Sequence, residues 1–457
     1  MIFTLATLLA FLAAILLLLG FIWYKPAWAV FFLLLGESLV YLLGLDVEGV
    51  QLVVNFYIPD LVAFLLVVTA AIVLLRFRKK FPRDAWPPIL LLSLVVLDFF
   101  RGIGTYGLKP AGSSIRVMVG FAIPAIVVML LSPALRLDTR RLARWLAWAG
   151  PFVAVFALLR WAGVMYTPTA SLLGGLRQVD RVLTAEYASV VAMGFIAAVY
   201  LPLMERRSAW WWGIASFLGG VTLALQHRSV WVATLVALLW LLGRSLRVSP
   251  VRVYVVGVIA GLALFMVMFL TPGLLDSVIK LIMVNVQEVQ HSDSTWAWRV
   301  QGYQEAMERL LGNDMEDMLI GPPAGWAAVT DSSVASTYIH SQYVGTLAYY
   351  GFFGLSTLLL WLGLVAKRIG WTSRSLRRRH PSQQAGIVLL EALFLLEAVY
   401  MIAYPGGSMH GAALGLIWIA ATQSLLPANA MRFRYAGYVA YRGSRPPVIA
   451  NPSPLRR

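Results

Sequence analysis

Long apolar runs separated by short polar segments dominate the chain. A helix that crosses a bilayer needs about 20 mostly apolar residues, because an unpaired backbone amide in hydrocarbon costs several kcal/mol. The pattern predicts spans near 2–22, 27–45, 51–75, 86–100, 114–132, 145–163, 186–204, 209–226, 229–243, 253–271, 342–366, 385–404 and 409–427. We therefore expect an all-α fold, a polytopic transmembrane helical bundle of about 12 or 13 spans.

The amino-acid composition agrees with a membrane protein. Of 457 residues, 60% are hydrophobic and 13% are charged, and the mean hydropathy is +0.77. A soluble domain is nearer 45–50% apolar and about 25% charged. This balance excludes a soluble enzyme, a disordered chain and a coiled coil. The chain contains no cysteine, which excludes a disulfide framework, a Cys-ligated zinc site and a thiol nucleophile.

Basic residues are distributed unevenly among the polar segments, and their distribution predicts the orientation. Lys and Arg number 37 against 21 Asp and Glu, a formal net charge of +16. In a membrane protein this excess indicates cytoplasmic loops that face anionic lipid rather than a nucleic-acid partner. The basic clusters, which we expect to be cytoplasmic, lie at 76–83, 136–144, 206–207, 244–252, 367–379 and 428–457. The segments expected on the outer face are 101–115, 164–185, 226–229 and 272–340.

These segments divide the chain into four parts. They are an N-terminal transmembrane bundle over 1–271, a large outer loop over 272–340, C-terminal transmembrane helices over 341–427 and a basic cytoplasmic tail over 428–457. Residues 296–311 of the loop have helical periodicity. We therefore expect the loop to contain short helices.

Three ionisable residues on the predicted outer side are candidates for chemistry. Arg228 lies in a short turn between two apolar spans, Arg299 opens the loop helix, and His340 lies where the loop re-enters the membrane. Two arginines can hold a diphosphate through bidentate hydrogen bonds and stabilise it as a leaving group. Histidine titrates near neutral pH and can accept the proton of a hydroxyl. The alternative is structural: an arginine that reaches lipid headgroups and a histidine at a helix start.

Further outer-side candidates are Arg101, Lys109 and Arg116 around the segment 101–115, and Arg177 in the next outer segment. Each extends a phosphate site or anchors a helix end at the membrane surface. The five histidines show no i, i+4 pair, and no phosphate-binding or dinucleotide-binding motif is present. We therefore expect no metal and no other cofactor.

Five acidic residues lie in or near predicted spans: Glu37, Asp60, Asp98, Glu391 and Glu397. Acids at this depth form a proton relay or are hydrogen-bonded to neighbouring helices. Their scattered spacing favours the structural role.

The stretch from His340 to Leu355 resembles the signature of the O-antigen ligase and O-antigen polymerase superfamily. That signature is His, then Asn, Ser or Gln, nine residues, and Gly-x-x-Gly followed by Leu or Met. Here Ser341 takes the second place, and Gly351, Gly354 and Leu355 complete the pattern. The stretch opens a predicted span after the large loop, as it does in the family.

Two further features are similar to the same family. Members carry an Arg in a short outer turn, as Arg228 is here, and an Arg early in the large loop followed by a helix and a Gly/Pro-rich turn, as Arg299, 300–311 and 321–325 are here. Two departures are also visible. Ser229 replaces the usual Gly after the turn Arg, and the turn at 321–325 is Gly-Pro-Pro-Ala-Gly rather than a Gly-Val-Gly form.

The resemblance covers roughly residues 90–430 and implies a GT-C-like, metal-independent, inverting glycosyltransferase of the bacterial inner membrane. Such an enzyme moves a glycan from undecaprenyl diphosphate to an acceptor sugar hydroxyl on the periplasmic face. A ligase uses the lipid A core as acceptor, and a polymerase uses another lipid-linked repeat. By the resemblance, His340 activates the acceptor hydroxyl, and Arg228 and Arg299 bind the diphosphate.

Ligase and polymerase remain nearly even, with polymerase slightly favoured because no feature recognises a lipid A acceptor. Apart from donor, acceptor and membrane lipids, the sequence indicates no partner, and it is silent on the oligomeric state. The alternatives are a flippase or transporter of lipid-linked oligosaccharide and a cell-wall assembly protein. A transporter is expected to show repeated halves, which are absent from the sequence, and an assembly protein to lack the His-to-Gly-x-x-Gly signature.

Overall fold

The computed structural model describes most of the chain, and the described part is almost entirely α-helical. The described residues are 20–43, 50–51, 55–56, 58–77, 83–132, 135, 137–165, 182–204, 209–246, 295–312, 314–326, 340–377 and 381–424. Their helices are α1 (Pro26–Leu43), α2 (Ile58–Phe77), α3 (Trp86–Tyr106), α4 (Leu108–Leu130), α5 (Thr139–Trp161), α6 (Ala185–Met204), α7 (Ala209–Ala224), α8 (Arg228–Leu246), α9 (Thr295–Gly312), α10 (Met315–Ile320), α11 (Gln342–Arg377), α12 (Pro381–Ala403) and α13 (Ser408–Gln423). Strands β1 (Val50–Gln51) and β2 (Asn55–Phe56) pair antiparallel, and a 3₁₀ turn (Arg83–Ala85) precedes α3.

Eight helices of the described part are long and apolar enough to cross a membrane: α1, α3, α4, α5, α6, α8, α11 and α12. This confirms a polytopic helical bundle. The predicted spans 209–226 and 409–427 form shorter helices, α7 and α13, of 16 residues each. The predicted span 253–271 and most of 2–22 lie outside the described residues.

Two predicted boundaries are wrong, and each correction has a local cause. The predicted span 51–75 begins only at Ile58, after the hairpin, and Pro59 lies in the first turn of α2, where a missing amide costs no helical hydrogen bond. The predicted loop 101–115 is helical, because α3 continues to Tyr106 and α4 starts at Leu108. Gly107 joins them alone with a φ of 87°, a conformation that a residue without Cβ adopts at little cost.

The helices pack around α6, whose apolar window is 89% buried, against 22% for the peripheral α3. Small residues allow the closest crossing in this core. A Cβ added to Gly194 of α6 would lie 2.7 Å from the Cα of Gly150 in α5, so that the two backbones meet directly. Large apolar side chains such as Phe100, Trp210 and Leu239 are more than 60% exposed on the outside of the bundle. Lipid is the solvent that such a surface requires.

The long helix α11 contains a break within the stretch 340–355. Its 36 residues leave helical geometry at Gly351, where φ is 60° and ψ is −165°. The C-terminal end of α10 packs into this break: a Cβ on Gly351 would lie 2.5 Å from the carbonyl carbon of Leu319, and one on Gly321 would overlap the backbone of Tyr349. Gly351 therefore lies at one of the contacts between the large loop and the bundle.

Candidate functional site

His340 lies immediately before α11 and lines a cavity of about 360 Å³, a size typical of small-molecule pockets. The helix ends that meet here belong to α1, α6, α11 and α12, and we call this end of the bundle the cavity end. The other lining residues are Glu37, Val40, Tyr41, Thr184, Ala185, Glu186, Tyr187, Tyr400, Tyr404 and Pro405. His340 thus shares its cavity with two carboxyl groups and four tyrosine rings.

The two residues that follow His340 fix its position. The Ser341 hydroxyl accepts a hydrogen bond from the Val344 amide at 3.3 Å, and so caps the start of α11. The Gln342 side-chain oxygen accepts from the Gly406 amide at 2.8 Å, which ties α11 to the turn after α12. The His340 ring stands edge-on to Tyr404, with centroids 5.7 Å apart. The imidazole is therefore held between the start of one helix and the end of another.

Glu37 and Glu186 are held at the N-terminus of α13. The Ser408 hydroxyl donates to Oε1 of Glu37 at 2.7 Å, and the Met409 amide donates to Oε1 of Glu186 at 3.1 Å. A helix N-terminus favours carboxylates, because its first amides lack helical acceptors and its dipole is positive there. Only glycine fits at position 407 without a shift of its neighbours, because a Cβ there would overlap the Glu186 carboxyl group.

A fully buried histidine–carboxylate pair lies beside the cavity. Nδ1 of His410 is 2.6 Å from Oε2 of Glu397, and both side chains are 0% exposed. The His410 ring stacks on Tyr400 at 4.1 Å, and Tyr400 stacks on Tyr404, the ring that contacts His340. Stacked and edge-on rings therefore connect the buried pair to the candidate base.

Arg228 begins α8 after a tight turn, as the sequence predicted. Gln226 in this turn has a φ of 57°, unusual for a residue with a side chain, and the buried His227 places Nε2 2.8 Å from the carbonyl of Leu183. Leu183 directly precedes the cavity wall. Arg228 itself is half-buried and does not line the cavity, so the structure brings its turn, rather than its guanidinium, against the wall.

Arg160 is a buried residue that the sequence reasoning did not single out. It is 3% exposed and donates to the carbonyls of Val182 at 2.7 Å, Tyr41 at 3.0 Å and Leu42 at 3.1 Å. A cation at the last carbonyls of α1 satisfies acceptors that a helix end leaves free. The signal was present, because an arginine inside an apolar helix is rarely left without partners.

Two of the further arginine candidates, Arg101 and Arg116, have acidic partners. Arg101 donates to the carbonyl of Gly321 at 2.7 Å and pairs with Asp317 at 3.2 Å and Glu316 at 2.9 Å. It thereby anchors α10 to α3. Arg116 pairs with Asp60 at 3.1 Å, which joins α4 to α2.

The remaining predicted site residues are Lys109, Arg299 and Arg177. Lys109 is exposed in the first turn of α4. The backbone of Arg299 lies in α9, within the predicted loop helix 296–311 that the structure confirms. Arg177 lies outside the described residues.

The described part of the large loop is docked onto the bundle. The Ala324 amide donates to the Asp98 carbonyl at 3.3 Å, and the Gly325 amide donates to the Ser114 hydroxyl at 2.9 Å. In α9, Ala306 packs on Ala348 of α11. The turn at 321–325 is therefore packed against α3 and α4, and α9 is packed against α11.

Sequence reasoning missed the grouping of Glu37, Glu186, Glu397 and His410 near His340. These residues come from α1, α6, α12 and α13, and no spacing along the chain predicts that they meet. The one available signal was the presence of ionisable side chains in apolar helices. Among the described residues, no group of three or more His, Asp or Glu side chains is arranged to hold a metal ion. No protein-family model matches the chain, and no curated protein matches it either.

Proposed function

We propose that the protein is an integral-membrane glycosyltransferase of the O-antigen ligase and polymerase type. It would transfer a glycan from undecaprenyl diphosphate to an acceptor sugar hydroxyl at the periplasmic face of a bacterial inner membrane. One observation carries the proposal: His340, which opens the signature, faces a cavity with two carboxyl groups and four tyrosines at the ends of apolar helices.

In this proposal His340 acts as the general base of an inverting transfer. The acceptor oxygen forms a bond to the anomeric carbon of the donor while the bond from that carbon to the diphosphate oxygen breaks. The acceptor proton passes to His340, and the bonding electron pair leaves with the diphosphate. A positioned base contributes about 10²–10⁴-fold to such a step.

The leaving diphosphate requires positive charge, which we assign to Arg228 and Arg299. The guanidinium stays protonated and binds phosphate oxygens in pairs. The His227 bond to Leu183 supports this role for Arg228, because it holds the start of α8 beside the wall that contains Glu186. Arg299 is assigned by the resemblance, as the Arg early in the large loop.

The charge distribution supports the proposed orientation. Arg244 and Arg368 lie at the end of the bundle opposite the cavity end, within the clusters that the positive-inside rule makes cytoplasmic. The cavity end would then be periplasmic, as would the loop 272–340, and the tail 428–457 would be cytoplasmic. The helical bundle would be GT-C-like.

The proposal is tested with purified protein in proteoliposomes that contain an undecaprenyl-diphosphate glycan and a sugar acceptor, in the presence of a chelator. His340→Ala is expected to abolish transfer while the protein remains folded. Arg228→Ala and Arg299→Ala should each slow transfer by about 2–4 kcal/mol in transition-state free energy, as for the loss of one oxyanion donor. Arg374→Ala, an exposed arginine at the opposite end, is the matched control. Near wild-type transfer by His340→Ala would contradict the proposal.

A deletion strain separates the two forms of the activity. Loss of a ligase leaves full-length glycan unattached to the lipid A core, whereas loss of a polymerase leaves single repeats. Gel analysis of surface glycan distinguishes these outcomes.

A further inference from the structure

We propose that the carboxylate of Glu186 makes the His340 cavity, where the acceptor sugar would bind, select a neutral or amino sugar over a uronic acid. This inference rests on the proposed function, since it names the substrate class that the same site accepts. The observation behind it is the set of side chains that line the cavity, which belong to helices far apart in sequence.

The lining combines the two kinds of group that a sugar needs. Tyr41 and Tyr404 are half-buried and expose part of a rigid ring with a polar tip, against which the apolar face of a pyranose can lie. Tyr187 and Tyr400 are buried behind them and stack on these rings. Carboxyl oxygens accept the hydrogen bonds of sugar hydroxyls, and such bonds to an ionised acceptor are short and strong. A cavity that is mostly apolar with a few convergent polar groups is the usual form of a small-ligand site.

Glu37 and Glu186 retain hydrogen-bonding capacity after their contacts within the chain. Each uses Oε1 for one bond, to the Ser408 hydroxyl and the Met409 amide respectively. An ionised carboxylate has two oxygens and about four lone-pair sites. The protein bonds therefore fix the orientation of each group and leave acceptor sites for a ligand.

The Glu186 carboxylate predicts a preference by the charge of the sugar. Among the described lining residues there are two acids and no lysine or arginine. The carboxylate of a uronic acid would meet like charge here, and like charges a few ångströms apart in a poorly hydrated site repel strongly. The ammonium of an amino sugar would instead be attracted. The donor diphosphate, which is also anionic, is then expected outside this cavity, on the side of the Arg228 turn.

The test compares three disaccharide acceptors of equal length that end in glucose, glucosamine or glucuronic acid. The wild-type protein is expected to use the first two with a kcat/KM at least tenfold above the third. Glu186→Gln keeps the shape and the Met409 bond but removes the charge. It should reduce this discrimination at least fivefold and raise the acceptor KM while the donor KM stays unchanged. Glu37→Gln keeps the bond from Ser408 and should raise the acceptor KM with a smaller change in the discrimination by charge.

Glu308→Gln, an exposed acid on α9, is the matched control and should leave the preference unchanged. Thermal unfolding of each variant shows whether it is folded. Equal use of all three acceptors by the wild type, or a change in donor KM alone in Glu186→Gln, would overturn the inference while transfer itself persists.

A second measurement does not depend on transfer. Binding of the three disaccharides to the wild type and to Glu186→Gln, in nanodiscs without donor, is followed by saturation-transfer NMR. Weaker binding of glucuronic acid that recovers in Glu186→Gln supports the inference, and absence of any charge preference contradicts it. If the wild type transfers no glycan but binds with this preference, the proposed function fails and the sugar site stands.

Discussion

Carboxylates at the two ends of the bundle differ in the partners that hold them. At the end opposite the cavity, Glu391 accepts from Arg244 at 3.1 and 3.2 Å and from the Trp240 indole at 3.0 Å. At the cavity end, Glu37 and Glu186 accept from a hydroxyl and a backbone amide. An arginine occupies most of a carboxylate's acceptor sites and cancels its charge, whereas a single neutral donor does neither. The first arrangement therefore joins helices, and the second leaves the carboxylate able to bind a ligand.

Asp84 shows that the first arrangement is not confined to one pair. It accepts hydrogen bonds from Arg368 of α11 and from the Trp418 indole of α13 at 3.2 Å. Glu391 and Asp84 each connect helices. We infer that Glu391 and Asp84 are structural, and that Glu37 and Glu186 are available to a ligand.

The largest effect on stability is expected at the buried pair beside the cavity. Glu397→Ala leaves His410 without its carboxylate in a fully buried site, and removal of one partner from such a pair costs about 3–5 kcal/mol. Thermal unfolding in detergent measures this loss. The double variant Glu397→Leu with His410→Leu should be less unstable than Glu397→Ala alone, and equal instability would show that the pair is not coupled.

Breaking the pair at the opposite end should lower stability without changing chemistry. Glu391→Ala removes the acceptor of Arg244 and Trp240, both partly exposed, so we expect a loss of about 1.5–3 kcal/mol in the free energy of unfolding. Transfer per folded molecule should stay near the wild-type rate. A fall in acceptor affinity with Glu391→Ala would remove the contrast between the two ends.

A smaller change at the cavity end should weaken acceptor binding and leave stability nearly unchanged. Gly407→Ala places a methyl group where the Glu186 carboxyl group lies, so the carboxyl must move. We expect the acceptor KM to rise about tenfold, which corresponds to about 1.4 kcal/mol. Gly363→Ala on α11, where an added Cβ meets nothing within 4 Å, is the control. An unchanged KM for Gly407→Ala would mean that Glu186 does not contact the acceptor.

An effect of similar size, confined to one segment, concerns the docked loop. Arg101→Ala removes the bonds to the Gly321 carbonyl and to the acids of α10, which together hold the loop by about 1–2 kcal/mol. Hydrogen exchange of the amides of 315–326 should become about 5- to 30-fold faster, because local opening becomes easier. Lys109→Ala should leave this exchange unchanged. Unaltered exchange with Arg101→Ala would show that the glycine contacts alone hold the loop.

Part of this fold was predictable because the signal is local. The apolar runs predicted helices such as α6, α8 and α12 within a few residues, since a bilayer requires length and hydrophobicity that a sequence displays directly. The turn before Arg228, the loop helix 296–311 and the position of His340 before α11 were predicted for the same reason. The segment 101–115 was predicted wrongly because its glycines resemble a loop, while packing of Gly102 against Ala324 and the single turn at Gly107 keep it helical.

The sequence by itself determined that the chain is a multi-pass helical membrane protein and where its basic segments lie. It also placed one histidine at a helix start and several arginines on the same predicted side of the membrane. Only the tertiary structure decided which of these groups share a site. It pairs Arg101 and Arg116 with acids, and it brings Glu37, Glu186 and four tyrosines to the cavity that His340 lines. The reason is physical. Helix formation in a membrane depends on neighbouring residues. Which helix ends meet depends on how whole helices pack, and the spacing of residues along the chain does not predict it.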